Sequence, residues 1–300
     1  MIPKSSKTVY HRYLKKSMKM RIRPRFHNIL SILKLRQEGD ALYWRDTWRF
    51  NGSTEYEFKY AGRYGARGEK RGKRKRASLE QIKKQNQTIR ENKVRRLIKA
   101  NFDEYDLWCT LKYPRGARPP LEQVRDDTKK FLRQTKTEYR KHGAELKYIK
   151  RLEIGARGGV HLHILVNRIE GVDTDRLLQK LWTHGRINYE TLYESGGYAD
   201  LAAYIVKPLT EEMEGQLSMF SEDDKKEFKS YSSSKNLIRP QPERREYRRW
   251  TLRELVEKGP KPTPGYYIDK NSIVSGVNRY TGMSYYRYTE YRIKNDERGG

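Results

Sequence analysis

The chain has 300 residues, with 66 Lys and Arg against 38 Asp and Glu, and a formal charge of +28. Its apolar fraction, 35%, only equals its charged fraction, so a core is expected in part of the chain, with 23 Tyr, 7 Phe and 5 Trp supplying the bulk. One cysteine, Cys109, excludes an intrachain disulfide; no run approaches the ~20 apolar residues of a membrane helix; and the excess charge calls for a polyanionic partner through phosphate neutralisation.

Nucleic acid is the leading partner. A membrane surface is the competitor, but no basic helix with an apolar face stands out. The segment MIPKSSKTVYHRYLKK has no apolar signal core, so a cytoplasmic protein is expected.

Residues 1–100 hold 29 Lys and Arg against 8 Asp and Glu, most of the basic excess. Residues 1–77 are expected to form a basic, partly disordered arm. Within it, ALYWRDTWRF suits a short strand or a satellite cluster. The run GRYGARGEKRGKRKR at 62–76 repels itself and needs a polyanion to order. It is no phosphate-binding P-loop, because Arg67 and Arg74 stand where Gly and Ser or Thr are required. Ser78, with Gln81 three residues on, predicts the cap of a long basic helix. Its apolar positions are too sparse for burial, so a surface helix along DNA is expected.

From residue 105 the pattern sharpens. DLWCTLKYP predicts a strand stopped by Pro114. PPLEQVRDDTKKFLRQTKTEYRKHG predicts a helix from Pro120 to Gly143. ELKYIKRLEIG and VHLHILVN predict a hairpin closing at residues 156–158. VDTDRLLQKLWTHG predicts a helix, RINYETLY a strand, and GGYADLAAYIVKP a helix ended by Pro208. The order β-α-β-β-α-β is the ferredoxin-like, RRM-like arrangement of an α+β fold, an antiparallel sheet with helices on one face. A catalytic domain over 78–210 is expected, then a polar linker or insertion over 211–240 and an accessory segment over 241–300. In that last segment ERREYRRWTLRELVEKG predicts a basic helix, and 264–293 two or three tyrosine-rich strands.

His161 and His163 flank Leu162 in mid-strand. Residues i and i+2 share a face, so both imidazoles project together while Val160, Leu162 and Ile164 point into the core. Two neutral imidazoles side by side suit a divalent cation; two surface histidines paired by chance is the alternative. Glu153, on the partner strand, reaches them if the register holds, and a one-residue slip turns it away. It could otherwise pair with Arg151 or Lys150 at the surface. An oxygen ligand favours Mg²⁺ or Mn²⁺ over zinc. Tyr204 and Lys207 share a helix face at i, i+3, with Asp200 also on it. A phenol is a weak nucleophile at its ordinary pKa of about 10, and a nearby cation would assist it. Alone, Tyr204 is one tyrosine among many on an amphipathic helix.

Together, LWCTLKY, VHLHILV and YIVK resemble the three ordered motifs of the HUH endonuclease superfamily, most closely the rolling-circle replication initiators of phages and plasmids. The similarity spans about residues 78–240. It implies metal ligation by His161, His163 and Glu153, attack on DNA by Tyr204, and Lys207 as the partner of that tyrosine. It further implies a 5′-phosphotyrosine link and a free 3′ hydroxyl, with host helicase and polymerase as partners on single-stranded or extruded origin DNA. SSSKNLIRP and the basic helix before ANFDEYDLWCTL resemble segments of phage-type members. Some of those use two tyrosines four residues apart; here Asp200 and Pro208 stand at those positions, so a single-tyrosine enzyme is expected, with Tyr198 as the outside candidate. A relaxase or transposase of the same superfamily is a second reading, and a non-catalytic binder stacking bases on Tyr148 and Trp108 a third.

Overall fold

The computed structural model describes residues 43–60, 77–155, 158–192, 198–247, 252–277 and 284–293. The expected disorder of the arm before residue 43 and of the 62–76 run lies outside the described residues. The chain forms two compact units, one from its two ends, up to Leu79 and from Gln241, the other from Glu80–Pro240.

The Glu80–Pro240 unit is led by helix α1 (Leu79–Asn101). It then runs β3 (Leu107–Lys112), α2 (Leu121–Lys141), β4 (Tyr148–Ile154), β5 (Val160–Val166), α3 (Thr174–Leu181), β6 (Ile187–Thr191) and α4 (Ala199–Ile205). The sheet order is β6-β3-β5-β4-β7, where β7 is the short strand Ser232–Ser233, and every pairing is antiparallel. This is the split arrangement that the strand and helix order predicts.

Strand alternation sorts the sheet's two faces. Leu107, Cys109 and Leu111 of β3 and Leu162 and Ile164 of β5 point to one side, where Val124, Phe131 and Tyr139 of α2 and Leu178 of α3 cover them. Each fully buried side chain of this size contributes about 1.5–3 kcal/mol. On the other side Trp108, Ile149 and Leu165 meet Val94, Leu97 and Ile98 of α1 and Leu201, Ala202 and Ile205 of α4. Helix α1 therefore differs from the surface helix expected. Leu79, Ile82 and Ile89 are exposed, but its last turns are buried. Averaged along the helix the apolar positions are sparse; Val94, Leu97 and Ile98, at i, i+3 and i+4, make a stripe at one end.

The segment read as a linker is also ordered. Helix α5 (Glu211–Gln216), a 3₁₀ turn at Leu217–Met219 and helix α6 (Glu222–Lys229) follow Pro208. Thr210 and Ser221 cap the two helices by accepting from the backbone N–H of Met213 and Asp224. Leu217 and Phe228 are buried in the first core. Arg125 of α2 pairs with Asp224 and, at 2.9 Å, with Glu227. Two apolar anchors in a polar stretch suffice once both helices are capped.

In the other unit, β1 (Tyr43–Arg49) and β2 (Ser53–Tyr60) join β8 (Glu243–Tyr247), β10 (Val274–Val277) and β11 (Ser284–Arg292) in the order β10-β11-β2-β1-β8, and β9 (Tyr266–Ile268) pairs with β11. The tyrosine-rich strands expected over 264–293 are present. Their core is aromatic: Tyr56 stacks on Tyr288 at 4.8 Å between centroids, beside Phe58 and Tyr286. Two expectations change here. Residues 43–60 are a hairpin inside this sheet, not part of an arm. The predicted basic helix keeps only α7 (Leu252–Lys258), because Glu243–Tyr247 pairs with β1, where Arg244 grips the buried Asp46 at 2.7 and 2.9 Å. No described helix is long and apolar enough to cross a membrane.

Candidate active site

The β4–β5 hairpin fixes the first half of the site. Gly155 N–H donates to Gly159 O at 2.9 Å, and Gly158 takes φ +74°, a conformation glycine adopts freely. The resulting register sets Glu153 opposite His161 and Arg151 opposite His163. On the other side of β5, β3 sets Lys112 opposite His161 and Thr110 opposite His163. His161, His163, Glu153 and Thr110 thus share the face away from α2 and α3. A Cβ on Gly155 would come within 3.0 Å of His161 Cε1, so the ring lies over a position that stays small.

Helix α4 supplies the second half. The Tyr204 hydroxyl donates to Glu153 Oε2 at 2.5 Å and lies 3.1 Å from His163 Nε2. Trp108 stacks parallel to His163 at 5.6 Å and meets Tyr204 edge-on at 5.9 Å, walling the phenol on one side. Lys207 lies beyond the helix end, yet its ammonium pairs with Glu153 Oε1 and sits 4.5 Å from the Tyr204 ring centroid. Gln87 of α1 donates to Val206 O at 2.9 Å, tying down the turn between Tyr204 and Lys207.

Burial pushes the Glu153 carboxyl up, but hydrogen bonds and charge from His163 and Lys207 win and hold it well below the usual carboxylate range. His163 Nε2 is 2.9 Å from Glu153 Oε2. Burial lowers the His161 pKa, with His163 and Lys112 adding to the effect and Glu153 opposing it, so this imidazole favours its neutral, metal-competent form.

The structure therefore brings Tyr204, Lys207, Glu153 and His163 into mutual contact. His161 lies beside them, its ring centroid 6.4 Å from that of His163. Among the described residues no three acidic, histidine or cysteine side chains converge as a ready metal site. The donor types nevertheless suit a divalent cation. His163 and Glu153 already stand as close as two ligands of one ion do, with His161 on the same face. Tyr198 occupies the N-cap of α4 with φ 61° and packs against the second core. Asp200 is exposed on that helix.

Sequence reasoning missed Thr110, whose Oγ1 is 3.2 Å from His163 Nδ1. Its cross-strand position was the available signal. Trp108, expected as an exposed stacking platform under the binder reading, is buried, and Tyr148 is half-buried against the first core. The apolar character of both neighbours, Leu107 and Cys109, hid the fact that both faces of β3 are covered.

Neither the curated proteins nor the solved structures give a significant match to the chain. Residues 106–209 run from the start of β3 to just past Lys207 and so contain every side chain of this site except Gln87. They match the family model of replication-associated proteins of the ORF2 type.

Proposed function

We propose that this chain is a rolling-circle replication initiator that nicks single-stranded origin DNA through Tyr204. The observation that carries the proposal is the phenol of Tyr204, held against Glu153 and His163 on the face of the sheet that carries both histidines. The similarity of residues 106–209 to replication-associated proteins supports the same reading.

Tyr204 Oη attacks the scissile phosphorus. The Oη–P bond forms, the bond from phosphorus to the 3′ oxygen breaks, and a 5′-phosphotyrosine and a 3′ hydroxyl result. Glu153 and His163 stand where they can take the phenolic proton. Lys207 offsets negative charge at the phenol and the phosphate. A divalent cation, Mg²⁺ or Mn²⁺, held by His161, His163 and Glu153 would supply Lewis-acid stabilisation of a phosphate oxygen. The exposed turns of α1, with Lys83, Lys84 and Arg90, are suited to contacting the DNA backbone.

The test is incubation of the full chain with a pool of single-stranded oligonucleotides and Mn²⁺, followed by a denaturing gel. Covalent protein–DNA adducts are expected, and Tyr204→Phe should abolish them. Adducts that persist in Tyr204→Phe remove the nucleophile; salt-sensitive binding without any cleavage leaves a nucleic-acid binder.

A further inference from the structure

Strand β4 carries a second functional charge. Arg151 lies two residues before Glu153 on the same face, opposite His163, and is 2% exposed. Its Nη1 donates to the carbonyls of Tyr204 at 3.2 Å and Ile205 at 2.8 Å. Its Nη2 donates to the carbonyls of Lys207 at 2.8 Å and Phe228 at 3.4 Å. The first three acceptors end α4, where a helix leaves carbonyls without intrahelical partners and presents the negative end of its dipole. The fourth belongs to the end of α6. One planar guanidinium thus closes two helix ends, a geometry that the point charge of a lysine does not reproduce.

We propose that Arg151 is the positioning residue for Tyr204, a proposal that rests on reading Tyr204 as the nucleophile. Helix α4 has seven residues and no side-chain N-cap bond, so it cannot hold its own orientation. Packing of Leu201, Ala202 and Ile205 fixes its depth, and Arg151 fixes its C-terminal turn, which carries the phenol. Because Arg151 and Glu153 are i and i+2 on one strand, the same rigid segment holds both the anchor of the helix and the acceptor of the phenolic hydrogen. Through Phe228 O the anchor also joins α6 to the site.

The test pairs Arg151→Met and Arg151→Lys in the full chain with two readouts. The first is the rate of adduct formation at saturating oligonucleotide, set against oligonucleotide affinity. The second is the ¹⁹F spectrum of 3-fluorotyrosine placed at residue 204, with the same probe at Tyr189 on the opposite sheet face as control. Displacing a reacting group by about 1 Å costs on the order of 100-fold. Arg151→Met should therefore lose roughly 30- to 100-fold in rate while affinity changes less than about 3-fold. The residue-204 resonance should shift or broaden, and the residue-189 resonance should stay. Arg151→Lys should fall between, and it decides the matter if the methionine protein does not fold. Unchanged rate and unchanged ¹⁹F spectrum overturn the proposal. A wild-type chain that forms no adducts sinks the nicking function instead, and the ¹⁹F comparison still decides whether Arg151 orients Tyr204.

Discussion

Replacing Thr110 by Val deletes one hydroxyl and keeps the branching and volume of the side chain. That hydroxyl lies 3.2 Å from His163 Nδ1, with Thr110 9% and His163 6% exposed, so water does not readily take its place. In the structure, Nε2 of His163 is 2.9 Å from a carboxylate oxygen of Glu153, a contact that uses a proton on Nε2. Thr110 then donates to Nδ1. Binding a cation through Nε2 requires the proton on Nδ1, where Thr110 Oγ1 becomes its acceptor. The hydroxyl serves both tautomers; a valine serves neither. An Nδ1–H left buried without an acceptor costs about 1–3 kcal/mol, and outer-shell losses of this kind weaken metal binding by roughly 10- to 100-fold. Titration calorimetry with Mn²⁺ should show a loss in that range for Thr110→Val, and Thr110→Ser should recover most of it. Adduct formation should fall in parallel at limiting Mn²⁺ and recover at high Mn²⁺. A valine protein that binds Mn²⁺ as tightly as the wild type would refute the tautomer argument and with it the metal role of His163.

Phe228→Ala should cost about 3–5 kcal/mol, because the ring is buried in the first core against Phe220 at 5.8 Å. For a unit of this size that is a fall of about 10 °C or more in its melting transition. The exposed Ile238→Ala should stay within about 0.5 kcal/mol, and equal effects from the two would return residues 211–229 to the status of a linker. The depressed pKa of Glu153 makes a stability contribution that is complete above the unfolded value near 4.5 and is lost as pH falls toward the folded value. Denaturation midpoints of wild type and Glu153→Gln should therefore converge below about pH 4.5, and a gap independent of pH would contradict the assigned shift. Gly185→Ala should destabilise by about 3 kcal/mol, because its Cβ would stand 2.2 Å from the carbonyl oxygen of Lys112, and backbone cannot swing aside as a side-chain tip does. Calorimetry showing a change under about 0.5 kcal/mol would mean that the α3–β6 connection adjusts freely.

Elements with a strong period were legible in the sequence. The alternation of VHLHILV placed His161 and His163 on one face, and the hairpin register followed from the glycines around residues 155–159. Features that depend on pairing between distant segments were not legible. Glu243–Tyr247 has the charged composition of a helix, and only Asp46 and the edge of β1, far earlier in the chain, make it a strand. Leu217 and Phe228 are two apolar residues in a polar stretch, too few to raise a periodic signal, although Thr210 and Ser221 marked the helix starts. Arg151 was weighed only as a neighbour for Glu153. Its acceptors are backbone carbonyls, which no side-chain pattern announces.

The charge balance of the site points to how these parts act together. Glu153 contacts both His163 and Lys207, so its two oxygens are shared among a phenol, an imidazole and an ammonium. Any cation recruited to the histidines draws on that same carboxylate and weakens its hold on Lys207. An ammonium released from Glu153 is costly to keep without an anion, since its side chain is only 14% exposed. A phosphate arriving beside Tyr204 supplies that anion. Lys207 is thus stabilised most when DNA and cation are both present, which favours assembly of the complete site over either partial one. The strand that presents Glu153 also presents Arg151, so the element that tunes this exchange is the one that keeps the phenol in place while it occurs.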